Sequence, residues 1–190
     1  MNMKVTLATE AGLLAVWDSK SLSHIDSENY QSNFVEDRTM VEIMNQGYAV
    51  IWGTGGDGHF NVVVRLDPKE SLTKEEEGMV EMKAEGYNLL ATSKSVFVGS
   101  PECVGSAENQ CLQNKSAHLV EGMVPGKYSV DVYFLFDAKS SKIADEMGGV
   151  EFDRYLKENP DFDKTGYVVV LKKMDDGYKF PEITQLSKLG

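Results

Sequence analysis

The chain has 190 residues, 42% apolar and 26% charged, the composition of a globular protein long enough to bury a core without a disulfide framework or a metal staple. Its formal net charge of −11 argues against nucleic acid and anionic membrane as partners, because both are bound by neutralising phosphate with cations; it suits a basic protein partner, or simply solubility. No apolar run approaches the ~20 residues of a membrane span, and Glu10 and Gly12 interrupt what would be a signal-peptide core, so the expected location is cytoplasmic.

Taken in chain order, Val5 and Leu7, then Leu13, Ala15 and Trp17, alternate as two strands expected to share one side of a hairpin that turns near residues 9–12. Residues 18–35 are polar with scattered aromatics, Tyr30 and Phe34, and read as a long loop. A short helix follows, with Glu36 and Asp37 in its first turn, Met40, Val41 and Met44 as its apolar stripe, and Gly47 placed to end it. Residues 47–67 then read as a second hairpin on a glycine-crowded turn. Tyr48, Val50 and Trp52 share one face, as do Phe60, Val62, Val64 and Leu66, leaving His59, Asn61 and Arg65 on the other.

An acidic connector, 67–77, with a helical turn around 72–76, leads to three short strand signals at 79–84, 87–91 and 95–99. After a loop carrying Cys103 and Cys111 come a strand at 117–121 and the most strongly alternating strand of the chain, with Tyr128, Val130, Val132, Phe134 and Phe136 inward. Its opening repeats an earlier phrase: Gly58-His59-Phe60-Asn61-Val62-Val63-Val64 recurs as Gly126-Lys127-Tyr128-Ser129-Val130-Asp131-Val132. Tyr133 and Leu135 lie on the opposite parity and need a cover, either the segment that follows or a partner protein. That segment, 137–163, has eight acidic and four basic residues and reads as two short helices, at 140–147 and 150–159, the second stopped by Pro160. A strand at 166–171 and a turn at 175–177 close the pattern. The whole predicts one mainly β domain over residues 1–190, an antiparallel two-sheet β-sandwich with a few short helices and a helical insert at 137–165.

Candidate chemistry is sparse. The turn Gly53-Thr54-Gly55-Gly56-Asp57-Gly58 offers backbone N–H groups to an anion, but it lacks the lysine of a phosphate loop and continues into a strand rather than a helix. Thr54, Gly55, Gly56 and Asp57, with His59 beside them, are the candidate ligand-binding residues. Asp161 and Asp163 match the first half of a calcium loop, whose twelfth position is Lys172 instead of the closing glutamate. His24, His59 and His118 are too scattered for a metal set, and no G-x-S-x-G elbow accompanies the serines. The eight-residue offset of the cysteines matches no common zinc or redox spacing; two free thiols are expected in a reducing compartment, with a disulfide closing the short loop as the alternative. A nucleophilic Cys103 would need a base such as His118. No catalytic residue and no cofactor are therefore assigned, and nothing in the sequence sets an oligomeric state.

In order, the helix into G-Y-A-V-I-W, the G-G-D-G-H-F-N-V-V-V segment, S-V-F-V-G-S and P-G-K-Y-S-V-D-V-Y-F resemble a group of small bacterial β-sandwich domains. More distantly, the order is similar to the competence-protein family that includes inhibitors of a DNA-entry nuclease. The resemblance spans residues 3–136 and implies the sandwich architecture; the insert has no counterpart in it. Two functions follow as expectations. One is a non-enzymatic interaction module of the inhibitor or immunity type, whose acidic segments 67–85 and 137–163 meet a basic partner. The alternative is a small-molecule or metal-binding domain using the turn at 53–58.

Overall fold

The structure, a computed structural model, describes residues 2–26, 34, 36–69, 71–159 and 162–190. Among the described residues ten strands form two five-stranded sheets. The first holds, in spatial order, β1 (Asn2–Thr9), β4 (Gly58–Leu66), β9 (Gly166–Lys173), β8 (Gly126–Leu135) and β5 (Val80–Ala91). The second holds β10 (Ser187–Lys188), β3 (Ala49–Gly53), β2 (Leu13–Trp17), β6 (Ser95–Gly99) and β7 (Ala117–Glu121). Helices α1 (Asp37–Asn45), α2 (Lys74–Glu77), α3 (Glu108–Asn114), α4 (Ala138–Met147) and α5 (Gly149–Glu158) are short. The mainly β two-sheet architecture and the helical insert are as the sequence predicts; Tyr30 and Pro160 lie outside the described residues.

The sheets are mixed, not antiparallel throughout. β9 lies between β4 and β8 and is parallel to the first and antiparallel to the second. A strand filled in between two oppositely running strands must be parallel to one of them. Those two strands are the repeated phrase, so its copies flank β9 and run in opposite directions. The second parallel pair is β10 with β3.

Neither predicted hairpin forms. β1 pairs with β4 from Asn2 opposite Arg65 to Thr9 opposite Gly58, while β2 pairs with β3 from Leu13 opposite Gly53 to Trp17 opposite Ala49. The four strands are thus one antiparallel ribbon bent across the edge of the sandwich, with corners at 10–12 and 54–57. Strands that change sheets need a sharp bend, and Gly12 (φ +62°) and Gly55 (φ +77°) supply backbone that other residues adopt only under strain. The signals at 79–84 and 87–91 likewise fuse into one strand, β5, with register shifts on either side of residue 84. Gly86 sits in the second irregularity and donates its N–H to Asp131 Oδ1 at 2.9 Å.

The main core lies between the sheets. Trp52 reaches from β3 to Tyr167 on β9, which also touches Phe60 and Phe134, with ring centroids 5.3–5.8 Å apart. Trp17 does not share this side. It stacks on Phe97 at 5.4 Å on the opposite face of the second sheet, and its Nε1 donates to Glu108 Oε1 at 2.8 Å. β2, β3 and β6 are consequently buried along almost their whole length, on both faces. On the outer face of the first sheet, Tyr133, Leu135, Val168 and Val170 form a smaller core with Leu72, flanked by Met79 and Val63. Its cover is the 67–79 connector rather than the helical insert, whose two helices pack chiefly on each other. Phe136, past the end of β8, is 42% exposed instead of inward.

After β9 the chain runs as a strap over the opening between the sheets. Asn88 Nδ2 donates to Pro181 O at 2.8 Å, and Tyr167 donates its hydroxyl to Leu189 O. Asn45 holds both polar atoms of one peptide residue, accepting from Ile183 N and donating to Ile183 O, each at 2.8 Å. Three buried side-chain atoms among the described residues have no partner: Trp52 Nε1, Tyr87 Oη and Asn88 Oδ1. All three residues meet the strap. Trp52 pairs with Ser187, Asn88 binds Pro181, and the Tyr87 hydroxyl, its pKa raised by burial, faces Ser187 without a bond of good geometry. Replacing Asn45 by alanine strands the amide and carbonyl of Ile183 and should cost about 1–3 kcal/mol. It is read as a lower urea midpoint at unchanged slope; an unchanged midpoint would show that the strap is not held there.

Candidate functional site

The glycine turn is packed by its own chain. Thr54 is buried, its N–H donating to Gly12 O at 2.9 Å and its hydroxyl to Gly56 O at 2.7 Å. Gly190 presses on the same turn: a Cβ added at Gly55 would lie 2.5 Å from Gly190 O. The Thr54 N–H is therefore taken by Gly12, and Gly190 lies against Gly55 on its Cβ side. An open cavity of about 630 Å³ remains beside the turn, lined by Gly12, Gly55, Gly56 and Asp57 together with Phe34, Asp37, Met40, Leu186 and Lys188. His59 is not part of it. It stands exposed on the outer face of the first sheet, opposite Ala8 of β1.

Among the described residues the half calcium loop gains no further ligands. Asp161 lies outside the described residues, and Asp163 accepts the N–H of Thr165 at 2.9 Å, a local turn contact. Among the described residues no group of three or more His, Cys, Asp and Glu is placed to hold a metal ion.

Cys103 and Cys111 are joined as a disulfide, with Cα atoms 5.7 Å apart, in place of the expected free thiols. The reason is the fold of the loop. Gly105 (φ +70°) lies so close to Ile25 that a Cβ would meet its carbonyl, Ser106 N donates to Ile25 O at 3.1 Å, and α3 then returns Cys111 to face Cys103. Both sulfurs are buried. No thiol is left for His118, whose pKa burial lowers, to activate.

What the structure does assemble is charge. Residues 67–85 contain seven acidic and three basic residues and residues 137–163 eight and four, so these two segments hold eight of the chain's eleven excess negative charges. They approach each other at one point beside the outer face of the first sheet, where Asp163 at the end of the second and Glu76 of the first line one recess. Lys164, just past the second segment, reaches Glu75 of α2 at 2.6 Å. Glu77, Glu81 and Glu85 on one segment and Asp145, Glu146, Glu151 and Glu158 on the other are exposed. The face is anchored by an ion pair that is itself nearly buried. Arg65 Nη2 meets Glu76 Oε1 at 2.7 Å while its Nη1 donates to Ser71 O at 2.6 Å, and Thr73 and Glu76 cap α2 reciprocally. Beside this pair is a recess of about 190 Å³ with Val63, Leu135 and Val168 in its wall.

Burial works to raise the pKa of Glu76, but the bonds from Arg65 and Thr73 outweigh it and hold the carboxyl below its ordinary 4.5. A depressed carboxyl contributes stability that is complete above its unfolded pKa and is lost as pH falls through the folded one. The protein should therefore lose stability as pH falls below about 4.5. Glu76→Gln should be less stable at neutral pH, because Arg65 stays buried without its counter-ion, and should lose less on acidification. Urea midpoints of both proteins measured from neutral pH down through the carboxylate range check this; parallel curves would refute it.

No protein-family model and no curated protein sequence matches the chain. Among solved structures, a protein described as crocagin biosynthetic gene J is similar in fold, with a TM-score of 0.53 over 92% of this chain and 98% of that one, at 11% identity.

Proposed function

We propose that the chain is a non-enzymatic protein-interaction module, of the inhibitor or immunity type, which engages a basic partner through the acidic outer face of its first sheet. The observation that carries this is that two segments far apart in sequence hold most of the net charge and approach each other where Asp163 and Glu76 line one recess and Lys164 reaches Glu75. Such a face steers a basic partner and disfavours other acidic ones, and its attraction weakens with salt. The resemblance to a family that includes nuclease inhibitors points the same way. The solved neighbour is named for a biosynthetic gene, and at 11% identity it lends its fold here but not a role. The expected cytoplasmic location is compatible with the finding that no helix among the described residues is long and apolar enough to cross a membrane; the buried Cys103–Cys111 bridge favours an oxidising compartment.

Affinity capture from host lysate should recover a basic partner at low salt and less of it at high salt. Glu77→Lys, Glu81→Lys and Glu151→Lys combined, all at exposed positions, should lose it. Recovery of no partner at either salt, or full recovery by the triple variant, overturns the proposal.

The second reading, a ligand held at Thr54 to Asp57, is favoured by the cavity of about 630 Å³ beside that turn. A ligand that binds only the native state raises the melting temperature. Thermal shift against calcium and a panel of small anions should move the melting point if this reading holds, and a flat response removes it for the ligands tried.

A further inference from the structure

We infer that the partner is held by a single apolar side chain, flanked by basic residues, that seats in the recess among Val63, Leu135 and Val168. This rests on the acidic-face reading above and names what that face would grip.

The recess has a specific cause in the sequence. On the outer face of the first sheet, cross-strand neighbours form rows, and one of them runs Thr6, Asn61, Gly166, Leu135. Gly166 leaves a gap in that row. Its φ of +147° and its approach to Asn61, whose carbonyl oxygen would lie 2.2 Å from an added Cβ, allow no side chain there. Val63 and Val168 of the adjacent row, with Leu135, give the gap apolar walls. The connector that covers the rest of the smaller core stops short of this point, so the recess opens outward among Lys4, Glu76, Asp163 and Lys164.

Size decides among occupants. Small-molecule sites usually enclose about 300–1,000 Å³, whereas this recess is about 190 Å³, the scale of one large side chain. Protein interfaces commonly place such an anchor in a small desolvated pocket ringed by polar contacts. Charge decides the flanks. Two cations, Lys4 and Lys164, and two carboxylates, Glu76 and Asp163, line the opening, with Lys164 tied to Glu75 at 2.6 Å, and the two segments beside it carry eight excess negative charges. An apolar residue between lysines or arginines meets both requirements; a small anion would fit by size but suits neither the apolar walls nor the excess negative charge beside them.

The test uses two synthetic peptides, Lys-Lys-Leu-Lys-Lys and Lys-Lys-Ala-Lys-Lys, titrated against the full chain by calorimetry at low and high salt. Burying the leucine should make the first peptide bind about tenfold tighter or more, with the ratio surviving at high salt while both affinities fall. Val63→Phe, which fills the recess, should abolish the ratio and leave the alanine peptide's affinity and salt dependence unchanged. Equal affinity of the two peptides for the unaltered protein overturns the anchor pocket and leaves the acidic face standing; no binding by either peptide also overturns it. The triple lysine variant should weaken both peptides alike, which separates failure of the face from failure of the pocket. The comparison on the unaltered protein stands even if Val63→Phe does not fold.

Discussion

The bend of one ribbon across the sandwich edge is the constraint on which the rest of the fold depends. Because β1 and β4 leave one sheet where β2 and β3 enter the other, the two corners run side by side and are stitched by the Thr54 N–H to Gly12 O bond. The corners fix how the sheets face each other, and hence that Trp52 meets Tyr167 in the middle. They also expose a liability. A bent ribbon leaves the far edge of β3 unpaired, and an unpaired edge is a template for association. The strap meets that need: β10 adds to β3, Leu189 N donates to Gly53 O at 2.8 Å, and Gly190 closes on the turn itself. The glycines that suggested an anion cradle are used for corner geometry and for the close approach of the strap.

Much of this was legible in the residues. Periodicity marked most strands and α1 nearly at their observed bounds, because alternation and capping are local signals. What periodicity does not carry is which strand pairs with which. Val5 and Leu7 followed by Ala15 and Trp17 alternate equally well as a hairpin or as a ribbon that changes sheets, and only the mutual packing of Gly12 and Gly56 distinguishes the two. The sheet assignment of Trp17 was hidden for a related reason. A strand buried on both faces shows no polar side from which to tell in from out. The bulge at Gly86 escaped because a glycine between two strand signals reads as a turn; its cause is a carboxylate, Asp131, 45 residues away.

The candidate site divides in the same way. The turn at 54–57 was visible as composition, yet its state is decided by Gly190 and Gly12, which carry no motif. The acidic segments were visible as charge, and their meeting was not, since it depends on β4, β8 and β9 lying side by side. Gly166 is the instructive case. As a sequence feature it opened a strand; in the sheet it is the missing side chain of a row, and the recess follows from it. The cysteines were weighed by compartment, and the fold of the loop around Ile25 settled their pairing.

Where an interface can form also follows from how burial is distributed. The second sheet spends both faces on its own chain, one against the first sheet and the other beneath α1, α3 and the disulfide loop, so its strands have little left to offer a partner. The first sheet differs. Its outer face is covered by a connector of few apolar residues, and that cover is held by the Arg65–Glu76 pair as much as by Leu72. Like charges gathered on one face repel one another and weaken the fold they decorate. A chain that gathers eight of its eleven excess charges in this connector and the insert near it accepts that repulsion over a thin cover that leaves recesses open on the first sheet's outer face.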